Sequence, residues 1–232
     1  MSLFFRLSLG IFFSLLACES ITPPRENKFQ GVVQKGQNFF KNMVVSPHPI
    51  ASRAGLDVLK NGGNAADAAL TVSFVLAVVR PQSTGIGGGG FALVGDRKDI
   101  KAYDFREKAP LLAHKDMFKI DTKNKKLSIN GHLASGVPGF VAGWLHIHNK
   151  YGSKPLQELL QPAILLARKG VKVNKSLAQA IGFRLSVLKT YPASSKIFLP
   201  KSKPLKEGDL LVQKDLANTI EAIADNSSKE FY

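Results

Sequence analysis

The segment Ala65–Val79, AADAALTVSFVLAVV, carries only Asp67, Thr71 and Ser73 as polar side chains. A helix that is apolar on nearly every side has no face to offer water, so it needs neighbours all round. Any fold of this chain must therefore build a core around that segment. With 44% hydrophobic residues among 232, the chain has the material for one. Asn64 stands where an N-cap belongs, with Asp67 three residues on in a box-like position, and Pro81 stops the helix. Just before it, Ala51, Ala54, Gly55, Val58 and Leu59 recur at helical spacing. Ser46-Pro47 supplies a cap and a first-turn proline for that helix, and Gly62-Gly63 ends it.

Further along, β-branched and aromatic runs predict strands at 91–94 and 100–104, joined by the polar turn 95–99. Shorter strands are expected at 43–45 and 127–129. Helical periodicity returns at 141–150, 155–169, 175–188 and 215–224, while 192–208 reads as irregular and basic. The sum is a mixed α and β chain without internal repeats.

Gly85-Ile86-Gly87-Gly88-Gly89-Gly90 contains a G-x-G-x-x-G string. Dinucleotide binding needs a strand before that string and a helix after it. Here the order is inverted, and no Lys-Ser/Thr follows as a P-loop would require. The physical reading left is close packing, since four glycines let another segment approach where a Cβ would clash. His146 and His148 lie two apart on a helix and face different ways, and no glutamate pairs with any of the five histidines at ligand spacing, so a metal site is not supported. No G-x-S-x-G elbow occurs. In Asp104-Phe105-Arg106-Glu107-Lys108-Ala109-Pro110, Arg106 lies just past a strand end, where a planar guanidinium can reach a ligand carboxylate bidentately. Taken alone, the segment reads first as an exposed Arg–Glu or Glu–Lys ion pair worth at most about 1 kcal/mol.

The charge of +15, from 32 basic and 17 acidic residues, suits nucleic acid, an anionic membrane or an acidic ligand. The N-terminus turns it away from nucleic acid. Arg6 precedes an apolar run over 7–17 that is short for a bilayer span and ends in Leu15-Leu16-Ala17-Cys18. That pattern resembles a bacterial lipobox, and the chain's single cysteine stands at the position that is lipidated; an ordinary signal peptide with an incidental cysteine is the alternative. The expected organisation is a signal peptide at 1–17, a tether at 18–30 with Pro23 and Pro24, and a folded region at 31–232. The expected destination is the periplasm or a membrane-anchored lipoprotein.

Several segments together resemble the gamma-glutamyltranspeptidase family. They are Met43-Val44-Val45-Ser46-Pro47-His48-Pro49, Leu59-Lys60-Asn61-Gly62-Gly63-Asn64-Ala65-Ala66-Asp67, Pro81-Gln82-Ser83-Thr84-Gly85 with the glycines that follow, the Arg106 segment, and Ser135-Gly136-Val137-Pro138-Gly139. Ile197-Phe198-Leu199-Pro200 and Glu207-Gly208-Asp209 continue the likeness, which runs in order over 31–232. The resemblance implies an α+β, four-layer αββα N-terminal-nucleophile hydrolase fold, made as a precursor that cuts itself. It implies a γ-glutamyl-enzyme chemistry on glutathione or other γ-glutamyl compounds, with Arg106 holding the substrate's α-carboxylate and no cofactor. The family's nucleophile is the threonine of a Thr-x-His-type sequence. None of Thr22, Thr71, Thr84, Thr122, Thr190 and Thr219 has histidine two residues on. The chain is therefore read as large-chain sequence, truncated before the nucleophile, whose catalytic partner is the threonine-bearing small chain. Other readings on the same fold are a related acylase or γ-polyglutamate depolymerase, and a non-catalytic lipoprotein remnant.

Overall fold

Helix α2 (Ala65–Val79) is enclosed as its composition demands, with Leu70, Phe74, Val75 and Val78 fully buried. These are features of a computed structural model, which describes residues 42–96, 98–119, 127–226, 229 and 231–232. All of them belong to the unit Phe40–Tyr232. The expected signal peptide, the tether and Cys18 lie outside the described residues.

Around α2 pack α1 (Pro49–Lys60), α3 (Phe140–Tyr151) and α4 (Leu156–Lys169), and α8 (Lys214–Asn226) packs on α4. Phe74 meets Phe140 of α3 edge to face, with ring centroids 5.2 Å apart. Leu159, Leu160, Ala163 and Ile164 of α4 and Ile220 and Ile223 of α8 complete the core. The few polar groups inside find partners. Thr71 Oγ1 donates to the Leu159 carbonyl at 2.9 Å, and Gln213 Nε2 donates to the Val78 carbonyl at 2.9 Å.

The capping box forms as read. Asn64 Oδ1 accepts from Ala66 N and Asp67 N, and Asp67 Oδ2 accepts from Asn64 N at 2.9 Å. The hairpin forms too. β1 (Phe91–Gly95) pairs antiparallel with β2 (Ile100–Asp104) in a register that sets Phe91 opposite Asp104 and Gly95 opposite Ile100. Asp96 Oδ1 holds the turn by accepting from Lys98 N and Asp99 N. A second small sheet pairs β3 (Val171–Lys172) with β4 (Leu210–Leu211), two-residue strands too short to signal themselves in sequence. Among the described residues the architecture is helix-rich α+β with two two-stranded sheets.

Several expectations are corrected. Residues 43–45 are not a strand: Met43 and Val45 are exposed, and no described strand lies beside them to complete a ladder. Residues 127–129 form a turn. The first helix is capped by His48, whose Nδ1 accepts from Ile50 N at 3.3 Å, and Pro49 rather than Pro47 takes the first-turn position. Residues 175–188 split at Arg184 into α5 (Lys175–Phe183) and α6 (Leu185–Thr190). The stretch 192–208 is partly helical: Pro192 opens α7 (Pro192–Phe198), and a 3-10 turn follows at Pro200–Ser202.

Candidate functional site

The glycine-rich run ends in a bed for the segment that carries Arg106. A Cβ on Gly89 would lie 2.5 Å from the Phe105 carbonyl oxygen and 2.8 Å from Arg106 Cα. No side chain fits there. Gly90 N donates to the Phe105 carbonyl at 3.2 Å, and Phe105 N donates to the Gly90 carbonyl at 3.0 Å, which carries the β1–β2 ladder one pair further. Gly88 accepts from Gly139 N and Phe140 N, both at 3.0 Å, and so fixes the start of α3 to the same bed. Lys108 and Val137 close the other side through a two-hydrogen-bond bridge. The inverted helix–glycine–strand order thus has the close-packing role expected of it. Gly85 and Gly87, with open space where a Cβ would stand, take no part.

Arg106 leaves this frame just past the end of β2. Its backbone N–H donates to Asp104 Oδ1 at 3.0 Å, and its Nε pairs with Glu107 Oε2 at 3.2 Å. The guanidinium carbon lies 6.0 Å from the centroid of the Phe91 ring. Glu107 engages Nε, and the two terminal nitrogens are the pair able to grip a carboxylate as a fork. The side chain is 58% exposed and borders a cleft of about 490 Å³ whose wall includes Lys108, Pro138, Gly139, His146 and Tyr232. Asp104 is on the same wall, but Arg106 and Lys108 outnumber it, which suits the cleft to an anion. Tyr232 closes one end: its hydroxyl donates to the Pro138 carbonyl at 2.6 Å and accepts from Ala142 N at 3.3 Å, where α3 has no side-chain cap of its own.

Tyr103, one residue ahead of Asp104, ties β2 to the far end of α3. Its hydroxyl shares a 2.6 Å hydrogen bond with that of Tyr151, and the Lys150 ammonium stands 5.8 and 5.4 Å from the two ring centroids. That hydrogen bond, with Lys150 alongside, pulls the Tyr103 phenol below its usual range; the same bond holds Tyr151 above it. Contact with Tyr103 raises the Lys150 ammonium in turn. The two helix histidines diverge as their spacing requires. His146 tilts against the Tyr103 ring, and His148 Nε2 meets the Lys154 carbonyl at 2.8 Å. Among the described residues no group of three or more His, Cys, Asp or Glu is placed to hold a metal ion.

Of the residues singled out in the sequence, Arg106 is in the cleft and Cys18 lies outside the described residues. Sequence reasoning missed Phe105, Gly139, Gly143 and the Tyr103–Tyr151 tie. The sequence offered one hint of the first three, a glycine, Gly143, in a helical stretch.

The Gamma-glutamyltranspeptidase family model matches residues 51–232. The chain is 46% identical over 196 residues to the glutathione hydrolase proenzyme of Escherichia coli (strain K12), an alignment that covers 83% of this chain and 34% of that protein. It is 43% identical over 189 residues to the capsule biosynthesis protein CapD proenzyme of Bacillus anthracis, covering 82% and 33%. Among solved structures, Helicobacter pylori gamma-glutamyltranspeptidase superposes with a TM-score of 0.80 at 44% identity, over 85% of this chain and 58% of that one. The chain spans about a third of the length of the curated relatives it matches. With the family model covering most of its residues and its own Arg106 segment seated on the glycine-rich run, the chain belongs to the gamma-glutamyltranspeptidase family.

Proposed function

We propose that this chain supplies the large-chain part of a gamma-glutamyltransferase or glutathione hydrolase. The observation that carries the proposal is the presentation of Arg106: one guanidinium, rooted between glycine-packed backbone segments, at the edge of a cleft lined by two basic residues and one acidic one. Arg106 holds the α-carboxylate of a γ-glutamyl group and so sets the γ-carbonyl in one place. The catalytic partner is a small chain of the same precursor that begins with threonine. The Thr hydroxyl attacks the γ-carbonyl while its own amine takes the proton. Backbone donors stabilise the tetrahedral oxyanion. Its collapse expels the leaving amine, which takes that proton and leaves a γ-glutamyl ester for water or an amino acid to cleave. No step of this chemistry draws on a cofactor or metal.

The finer architecture proposed is the four-layer αββα N-terminal-nucleophile fold. Support comes from the outer face of the β1–β2 hairpin, where Phe91, Leu93 and Ile100 are each about two-thirds exposed or more, as suits a sheet that stacks on another. The test is reconstitution. The chain on its own is expected to leave a γ-glutamyl anilide uncut, and the chain produced with a small chain bearing an N-terminal threonine is expected to release the aniline. An assembled, processed pair that cleaves no γ-glutamyl amide defeats the reading. The identity to a capsule biosynthesis proenzyme supports a second reading, the same acyl transfer on a γ-polyglutamate or related acyl substrate. Release from a γ-linked glutamate polymer but not from glutathione would favour it.

We also propose that Cys18 carries lipid and anchors an exported, periplasm-facing protein, on the support of the Leu15-Leu16-Ala17-Cys18 sequence. Radiolabelled palmitate is expected on the wild-type chain expressed in a bacterium and not on Cys18→Ser. Equal labelling of both, or of neither, refutes the anchor.

A further inference from the structure

We infer that Phe105 is a positioning residue for Arg106: its ring, seated in a socket of missing Cβ atoms, fixes the direction in which the guanidinium leaves the sheet. The inference rests on the reading of Arg106 as the substrate-carboxylate ligand. Phe105 is half-buried and faces α3. A Cβ at Gly143 would fall inside contact distance of Phe105 Cγ, and one at Gly139 would overlap the Phe105 carbonyl. A Cβ at Gly90 would lie 2.9 Å from Phe105 Cε2. Trp144 supplies the remaining wall, its ring centroid 6.0 Å away at 57°. The ring therefore rests on backbone just ahead of β1 and within α3.

Helix propensity does not explain Gly143. Glycine is the poorest ordinary residue inside a helix, and alanine would suit α3 better on its own account. What the missing methyl admits is the ring. On the other side of Arg106, Glu107 packs against Gly136, whose added Cβ would meet Glu107 Cβ at 2.9 Å, and Lys108 is bridged to Val137. Arg106 is thus one exposed residue between two clamped neighbours, and Phe105 is the side-chain part of the clamp.

The test uses the processed two-chain enzyme and two anilides: the γ-glutamyl anilide and the 4-aminobutanoyl anilide, which differs by lacking the α-carboxylate. Phe105→Ala is expected to raise KM for the first about tenfold, with kcat nearly unchanged, and to lower the preference for it over the second by the same factor. Gly143→Ala is expected to do the same although it improves the helix. The double variant is expected to be no worse than the worse single one, because the new methyl occupies space the ring has left. Phe105→Leu, which keeps apolar volume without a planar ring, is expected to recover Tm but not the preference, and with Gly143→Ala it carries the test should Phe105→Ala fail to fold. In NMR spectra the Arg106 Nε–H, held by Glu107, is expected to lose its dispersed shift in Phe105→Ala and in Gly143→Ala. If Arg106→Ala abolishes the preference while the Phe105 and Gly143 variants keep both preference and dispersed Nε–H signal, the positioning role is overturned and the reading of Arg106 stands. If Arg106→Ala itself keeps the preference, the reading of Arg106 falls, and an unchanged Nε–H signal would then dispose of the positioning role as well.

Discussion

Arg106→Ala in the two-chain enzyme is expected to lower kcat/KM for γ-glutamyl anilides by about 10²- to 10³-fold, and the size of the loss is the informative quantity. The Arg106 side chain is 58% exposed and pairs with a neighbour in sequence. Exposed pairs of that kind are worth at most about 1 kcal/mol, or roughly fivefold in a rate constant. A carboxylate gripped by both terminal nitrogens in a site that has lost its water is worth about 2–5 kcal/mol when one partner is removed. The larger figure therefore requires water to be excluded around the bound carboxylate, a task that falls to the small chain in the proposed two-chain enzyme. Arg106→Lys is expected to fall between wild type and alanine, since an ammonium keeps the charge and loses the fork. Steady-state kinetics at low and high salt checks both points. A desolvated contact changes little with salt, whereas a loss of under about fivefold that vanishes in salt would make Arg106 a surface charge.

What could be read before folding was whatever a short stretch of chain decides by itself. Asn64 and Asp67 form their box because cap and box partner are three residues apart. The 91–94 and 100–104 strands form because Asp96 closes its own turn. Arg106 was singled out through the family resemblance, its place past a strand end reading by itself as a surface ion pair. Phe105 was not. Its ring lies between Gly90, before the hairpin, and Gly143, far along the chain, while Gly139 makes room for its carbonyl, and nothing local announces that these glycines face one residue. The failed strand at 43–45 teaches the converse. Met43, Val44 and Val45 have strand-like side chains, yet β-propensity expresses how well a residue fits between neighbours, and no described strand stands beside them. At Arg184 the apolar periodicity runs on while the backbone turns out of helical geometry, a break that side-chain spacing does not encode.

The largest stability effect is expected at Asp67, a carboxylate with no exposed surface. It accepts from Ser153 Oγ at 2.6 Å, from Ser153 N and Asn64 N at 2.9 Å, and from Lys154 N at 3.5 Å, while Asn64 Nδ2 donates to the Tyr151 carbonyl at 2.6 Å. One side chain thus caps α2 and anchors the turn that leaves α3. Asp67→Ala strands these donors inside the protein. At about 1–3 kcal/mol for each unsatisfied buried group, with partial relaxation, the expected loss is about 3 kcal/mol, or roughly 6–12 °C in Tm for a domain of this size. Burial alone would push the carboxyl up. The hydrogen bonds from Ser153, Asn64 and Lys154 outweigh it and hold the group below its ordinary value. The sign follows. With the folded value depressed, the unfolded chain binds the proton first, so this stabilisation is complete above about pH 4 and drains away as pH falls through the folded value. Wild type and Asp67→Ala should therefore differ most at neutral pH and converge in acid. Urea titrations at pH 7 and pH 3 measure this directly. A gap that stays constant between the two, or one under about 1 kcal/mol at pH 7, would show that the ionised carboxylate is not what joins α2 to the end of α3.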